Sequence, residues 1–126
     1  MQACKLTINT SVDGQETEFA CEGELELSAF GAILRYRQEK ALVTLTLDGE
    51  TVSVERVGDY TLSLLLKRGV RTIGRIGIGG NEGEVEVEAY RIDYAVRQNS
   101  LLAMLRYNLI IGDEEQRMQL RITARV

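Results

Sequence analysis

Arg56, Tyr60, Tyr36, Thr72 and Tyr107 are the side chains in this sequence best suited to hold a small ligand: one guanidinium and a set of hydroxyls. Chemistry of a catalytic kind is harder to assemble. Histidine is absent, which removes the commonest general base and the commonest metal ligand, and with them Ser-His-Asp, Cys-His and most zinc sites. The two cysteines, Cys4 and Cys21, have no cation expected beside them to stabilise a thiolate, so they read as small apolar residues. No nucleophile pair, metal set or cofactor site emerges, and the expectation is a protein that is not an enzyme.

Three further stretches invite chemistry and lose it on inspection. Gly74, Gly77, Gly79, Gly80 and Gly83 suggest a phosphate loop, but a dinucleotide fingerprint needs G-x-G-x-x-G opening a helix. Here Glu82 stands three residues after Gly79, and Glu84, Glu86 and Glu88 follow in an alternating stretch. A backbone device, ending in a wide turn from Gly79 to Gly83, explains the glycines better. Arg35 and Arg37 flank Tyr36 in the manner of a nucleic-acid contact, yet the strand register below aims both arginines outward at Glu24 and Glu22. Lys67, Arg68, Arg71 and Arg75 form the densest basic cluster, which reads as solvated charge on a chain of net charge -4 and pI near 4.9. Nucleic acid is therefore not an expected partner.

The elements that must position these residues are strands. Apolar and polar residues alternate with period two through nearly the whole chain, broken every eight to twelve residues by turn signals. Ten strands are predicted: 3–12, 16–27, 32–37, 42–47, 50–56, 60–66, 70–78, 84–97, 100–111 and 116–126. Turn lengths then set register. Asp13-Gly14 pairs Leu6 with Cys21 and Cys4 with Gly23. A loop from Ser28 to Gly31 pairs Leu25 with Leu34, Gly23 with Tyr36 and Glu24 with Arg35. Asp48-Gly49 pairs Leu45 with Val52, and a loop at Lys67-Arg68-Gly69 pairs Leu62 with Gly74. Around Gln98-Asn99, Ile92 faces Leu105 and Tyr90 faces Tyr107; Leu109 then faces Met118. All these pairs place apolar residues on one common face. One parity break, between Val87 and Tyr90, calls for a β-bulge near Glu88 or Ala89.

Short connections throughout make the simplest topology an antiparallel meander closed into an up-and-down barrel of about eight to ten strands. The length of 126 residues fits one domain, 1–126, and its 44% hydrophobic and 27% charged residues are those of an ordinary globular protein. No apolar run is long enough to cross a bilayer and no signal peptide is recognisable, so no membrane association and a cytoplasmic location are expected.

The segments "VDGQETEFACEGELEL", "LRYRQE", "VERVG", "LLLKRG" and "RYNLIIGDEEQRMQLRI" resemble the YwiB-like family of bacterial domains of unknown function. That resemblance implies a calycin-type, lipocalin-like β-barrel and no particular reaction. It departs from the family after Gly69, where a Tyr-Thr-Pro-Tyr-Gly type of segment is replaced by "VRTIGRIG".

Alternate turns share one end of such a barrel, and that end is acidic. Arg56 and Tyr60 face inward beside it, with Tyr36 near. A buried arginine needs a partner, and few carboxylates point inward. Either a ligand received by Arg56, Tyr60, Tyr36, Thr72 and Tyr107 supplies it, or the core is filled and Arg56 reaches water at the rim. The other expected function is a protein interaction or homodimer through the outer wall, where Leu102, Met104 and Ile110 point out along one strand and Leu65 and Ile73 along two others.

Overall fold

A computed structural model describes residues Met1–Val126. The chain forms ten strands: β1 (Gln2–Val12), β2 (Gln15–Leu27), β3 (Gly31–Gln38), β4 (Ala41–Asp48), β5 (Thr51–Val57), β6 (Tyr60–Lys67), β7 (Arg71–Ile78), β8 (Asn81–Val96), β9 (Ser100–Ile111) and β10 (Glu114–Arg125). Each pairs antiparallel with its sequence neighbours, and β1 also pairs with β10, closing a ten-stranded up-and-down barrel. No helix of the structure is long and apolar enough to cross a membrane.

Alternation drives this closure: each strand turns alternate side chains inward, and the inward set merges into one core. Leu25, Leu34, Leu45, Leu47, Leu66, Leu101, Leu105 and Ile122 are among its fully buried members. For orientation, the end carrying the turns after β1, β3, β5, β7 and β9 is called upper, and the opposite end lower.

The register of β1–β2 is the one the Asp13-Gly14 turn predicts, with Leu6 opposite Cys21 and Cys4 opposite Gly23. Both central residues of that turn have positive φ, 51° and 88°, as a type I′ turn requires. Leu25–Leu34 and Gly23–Tyr36 also pair as expected. Three other registers differ. Leu45 pairs with Val54, and Met118 with Tyr107, each two residues from expectation. The cause is common to both: Gly49 and Gly112 open two-residue turns as the first central residue, each with φ near 60°, so the turns are Gly49-Glu50 and Gly112-Asp113. A shift of two preserves the inward face, which is why the core survives the error. In β6–β7, Leu62 pairs with Ile76 rather than Gly74, and Lys67 bridges Val70 around a two-residue turn.

The glycine run resolves into two devices. Gly79-Gly80 is a tight hairpin turn with both φ values positive, joining Ile78 to Asn81, not a wide turn. Gly74 faces inward, where a Cβ would sit 2.5 Å from the Ser63 carbonyl oxygen and 2.8 Å from Leu64 Cδ2. The predicted bulge lies in β8 between Ala89 and Arg91, making Tyr90 the extra residue. Tyr90 consequently leaves the inward row, and Ala89 takes the place opposite Tyr107.

Candidate functional site

Two seams interrupt the barrel wall. Below Ser63–Arg75 the β6–β7 ladder stops, leaving carbonyl groups without a ladder partner. One of these is recaptured where Thr72 Oγ1 donates to the Leu65 carbonyl; beside it the Gly69 N–H of the turn donates to the carbonyl of Ala89 at the β8 bulge, 3.0 Å away. The second seam is in the upper wall. The β2–β3 ladder runs only from Leu27–Ala32 to Gly23–Tyr36, so β2 from Gln15 to Glu22 has a partner in β1 alone. No side-chain hydrogen bond crosses this gap. Glu22 and Arg37 are therefore not ladder partners, and Glu24 and Arg35, though directly opposite, form no ion pair.

The ends differ in the same sense. At the lower end the Tyr94 hydroxyl reaches across the lumen to the carbonyls of Gly49 at 2.8 Å and Phe30 at 3.0 Å, tying β8 to the β2–β3 and β4–β5 turns. Partly buried apolar side chains rim the core at both ends, Phe19, Cys21, Leu62, Ile76 and Met118 at the upper and Leu27, Tyr94 and Val96 at the lower. Beside the upper set lie Tyr36, 9% exposed, and Tyr107, 4% exposed. Neither phenol hydroxyl has a hydrogen-bond partner in the protein. No buried side-chain polar atom that is cut off from solvent lacks a partner, so both hydroxyls border water-accessible space. Burial, with Cys21 close by, raises the Tyr36 hydroxyl from the usual phenol value to about 12. Burial raises Tyr107 as well, with Tyr36 as the second cause. The Tyr36 ring also packs at 6.2 Å from that of Phe19.

Arg56 lies beside this group in the same inward row, paired with Val43, which in turn pairs with Tyr36. Its side chain is 16% exposed and fully engaged. Nη2 meets Asp59 Oδ1 at 2.8 Å, Nη1 donates to the Tyr60 carbonyl at 2.7 Å, and the guanidinium stacks 3.7 Å from the Tyr60 ring centroid. The partner is thus a carboxylate of the neighbouring turn, a possibility that a search for inward carboxylates misses. Asp59 is held below its ordinary value, chiefly by the hydrogen bond from Arg56. Thr72 faces inward with its hydroxyl committed to the β6–β7 seam. Of the five predicted lumen residues, Tyr36 and Tyr107 are both buried with hydroxyls that bond to no protein group, Thr72 is bonded to the Leu65 carbonyl, and Arg56 and Tyr60 form a clasp at the rim.

Cys4 and Cys21 are unpaired thiols, diagonal neighbours on the inner wall, and burial raises both above the ordinary thiol value. That is the reverse of an activated cysteine. On the outer wall Leu102 is 54% exposed, while Met104 and Ile110 are half-buried. Leu102 and Met104 share an open groove of about 570 Å³ with Tyr94, Ala95 and Arg91. No group of three or more acidic or cysteine residues is arranged to hold a metal.

The fold is therefore a closed ten-stranded antiparallel barrel, with the Tyr94 hydroxyl bonded across its lower end. A family model described as "Domain of unknown function (DUF1934)" matches residues 3–122, and the chain belongs to that family. The crystal structure of the YwiB protein from Bacillus subtilis is similar in fold, with a TM-score of 0.84, 17% sequence identity, and coverage of 98% of this chain and 90% of that one. No curated protein matches the sequence.

Proposed function

We propose that the barrel binds a small, mainly apolar molecule carrying a carbonyl or carboxylate oxygen, at the upper part of the lumen. The observation that carries this reading is the pair of phenols of Tyr36 and Tyr107, more than nine-tenths buried yet without a protein partner. Each is a donor bordering accessible space, where water or an acceptor on a ligand satisfies it. Phe19, Cys21 and Met118 offer the apolar surroundings, the unstitched β2–β3 seam offers entry, and the Arg56–Asp59–Tyr60 clasp borders the rim. A barrel of this size accommodates one small ligand where side chains do not fill it, as lipocalin-type barrels do. The protein works by binding and not by catalysis, and two free cysteines suit a reducing cytoplasm.

Titration with 1-anilinonaphthalene-8-sulfonate, which joins an apolar body to an anionic acceptor, tests the reading. The folded protein is expected to enhance and blue-shift its emission, Tyr36→Phe with Tyr107→Phe to weaken binding about tenfold, and Met118→Trp to block it. Emission unchanged by native protein, or binding indifferent to all three changes, overturns the proposal.

A second reading rests on Leu102, whose exposed side chain and neighbouring groove suit an apolar partner residue. Leu102→Glu would abolish such an association, measured by light scattering, and a mass unaffected by it removes this reading.

A further inference from the structure

Around the wall made by β10, β1 and β2, the charges sort into two parallel rows. Glu16, Glu18, Glu22, Glu24 and Glu26 point outward along β2, all exposed, and none is in an ion pair. Arg117, Arg121 and Arg125 point outward along β10, likewise exposed and unpaired. Some charges elsewhere on the outer wall are paired, Arg71 with Glu86 and Glu88, Arg75 with Glu82, and Arg91 with Asp93, while Arg35, Arg37, Arg97 and Arg106 have no carboxylate partner. The β2 row, and the β10 row from Arg117 to Arg125, are set apart because each carries one sign of charge. Between these two rows runs β1, whose outward residues Ala3, Thr7, Asn9 and Ser11 are short and uncharged and whose single outward charge is Lys5. Asn9, Thr10 and Ser11 form the floor of a groove of about 430 Å³, bounded by Glu16 and Glu18 on one side and Gln119 and Arg121 on the other.

The rows are in register with each other. Asn9 is paired with Glu18 on one side and Arg121 on the other; Lys5 is paired with Glu22 and Arg125 in the same way. Across β1 the two rows are separated by two strand spacings, about 10 Å, too far for Glu18 and Arg121 of one chain to form an ion pair.

We propose that this wall is a self-complementary surface on which a second copy of the chain docks about a two-fold axis running along β1. Rotation about that axis lays β2 of each copy over β10 of the other and preserves position along the strand. Glu18 then meets the second copy's Arg121, and Glu22 its Arg125, each pair occurring twice. A two-fold axis across β1 would set glutamate on glutamate, so charge alone selects the orientation. Lys5 of each copy approaches its own equivalent, flanked by both Glu22 carboxylates. The interface is polar and wet, and its ion pairs are of the exposed kind, so association is weak and salt-sensitive.

The test uses two double variants, R121E/R125E and E18R/E22R, in sedimentation velocity at low ionic strength. Wild type is expected to form a dimer that dissociates in about 1 M salt, where charges are screened beyond roughly 3 Å. Each variant alone carries like charges on both rows and is expected to associate about 100-fold more weakly, whereas an equimolar mixture regains the dimer as an acidic copy paired with a basic one. Recovery in the mixture also shows that both variants are folded. A wild type that stays monomeric in low salt overturns the proposal. So does a dimer that either variant leaves intact, or a mixture that does not associate. Loss of an interaction with RNA or an acidic protein in R121E/R125E, with E18R/E22R unchanged and wild type monomeric, would assign the arginines to that partner instead.

Discussion

At the lower end of the barrel the phenol of Tyr94 spans the lumen to the Gly49 and Phe30 carbonyls, and the β6–β7 seam above it is stitched by Thr72, while Gly69 ties the β6–β7 turn to β8. At the upper end the phenols of Tyr36 and Tyr107 have no partner, and the β2–β3 seam has no stitch. The same residue type and the same kind of ladder failure thus occur twice, with polar groups satisfied in one place and left available in the other. A fold that needed only stability would gain by closing both ends alike. The contrast is confined to these seams and phenols, since the upper rim has its own ties in the Arg56–Asp59 contact and the reciprocal bonds between Asp13 and Arg117.

The largest effect should come from testing the packing of the two ends. Leu34 is fully buried in the lower core, and Leu34→Ala is expected to cost about 3 kcal/mol, from lost transfer energy and the cavity left behind. Met118→Ala, at the partly exposed mouth, should cost less than half of that, since water already reaches the site. Urea unfolding of the two variants measures the difference; equal losses would mean that the ends are packed alike.

Alkaline stability probes the upper end next. The folded Tyr36 hydroxyl titrates near 12, against 10 when exposed. Both states are neutral below pH 10, so the native state keeps its full stability there. Between pH 10 and 12 the unfolded chain ionises first and the native state loses stability, by up to about 2–3 kcal/mol for a two-unit shift. Tyr36→Phe removes this term, and its unfolding midpoint should fall less than that of wild type as pH rises from 10 to 12.

What was legible in the sequence follows from which signals are local. Alternation and turn residues gave the strand count, the closed topology and the bulge, because inward parity is a property of neighbours in sequence. Register at β4–β5 and β9–β10 was not legible, because a single glycine opens either of two turn types and only the wider hydrogen-bond ladder chooses. The clasp of Arg56 was half visible: the inward arginine was readable, but its partner Asp59 belongs to a turn that the search for inward carboxylates passed over. The unstitched β2–β3 seam left no mark in the sequence. It arises because β3 ends at Gln38 while β2 continues to Gln15, a mismatch of strand lengths in space rather than a residue pattern. Tyr94 as a stopper depends likewise on contacts with residues 45 and 64 positions away.

One substitution made at both ends compares them directly. Tyr94→Phe removes a donor and leaves the Gly49 and Phe30 carbonyls without it, so a loss of about 1 kcal/mol is expected, with faster amide exchange in the β2–β3 and β4–β5 turns. Tyr36→Phe and Tyr107→Phe remove hydroxyls that bond to nothing in the protein, and near pH 7 each should change stability by less than about 0.5 kcal/mol. A large loss from either of the upper changes would show that its hydroxyl is structurally engaged and would weaken the case for a ligand.

The smallest effect concerns the clasp at the rim. Asp59 is exposed, and the Arg56 guanidinium holds its carboxyl below the ordinary aspartate range. A lowered native value means that the contribution of this contact is present above the unfolded value, near 3.9, and disappears as pH falls through the native one. Carboxyl chemical shifts should therefore show Asp59 titrating below that value, and Arg56→Lys should move the midpoint up, because an ammonium cannot keep both the stacking on Tyr60 and the forked contact. The same substitution should leave the lower-end amides unchanged. If amide protection around Tyr94 fell as well, the two ends would be coupled through the core, and the contrast would not be confined to the seams and phenols.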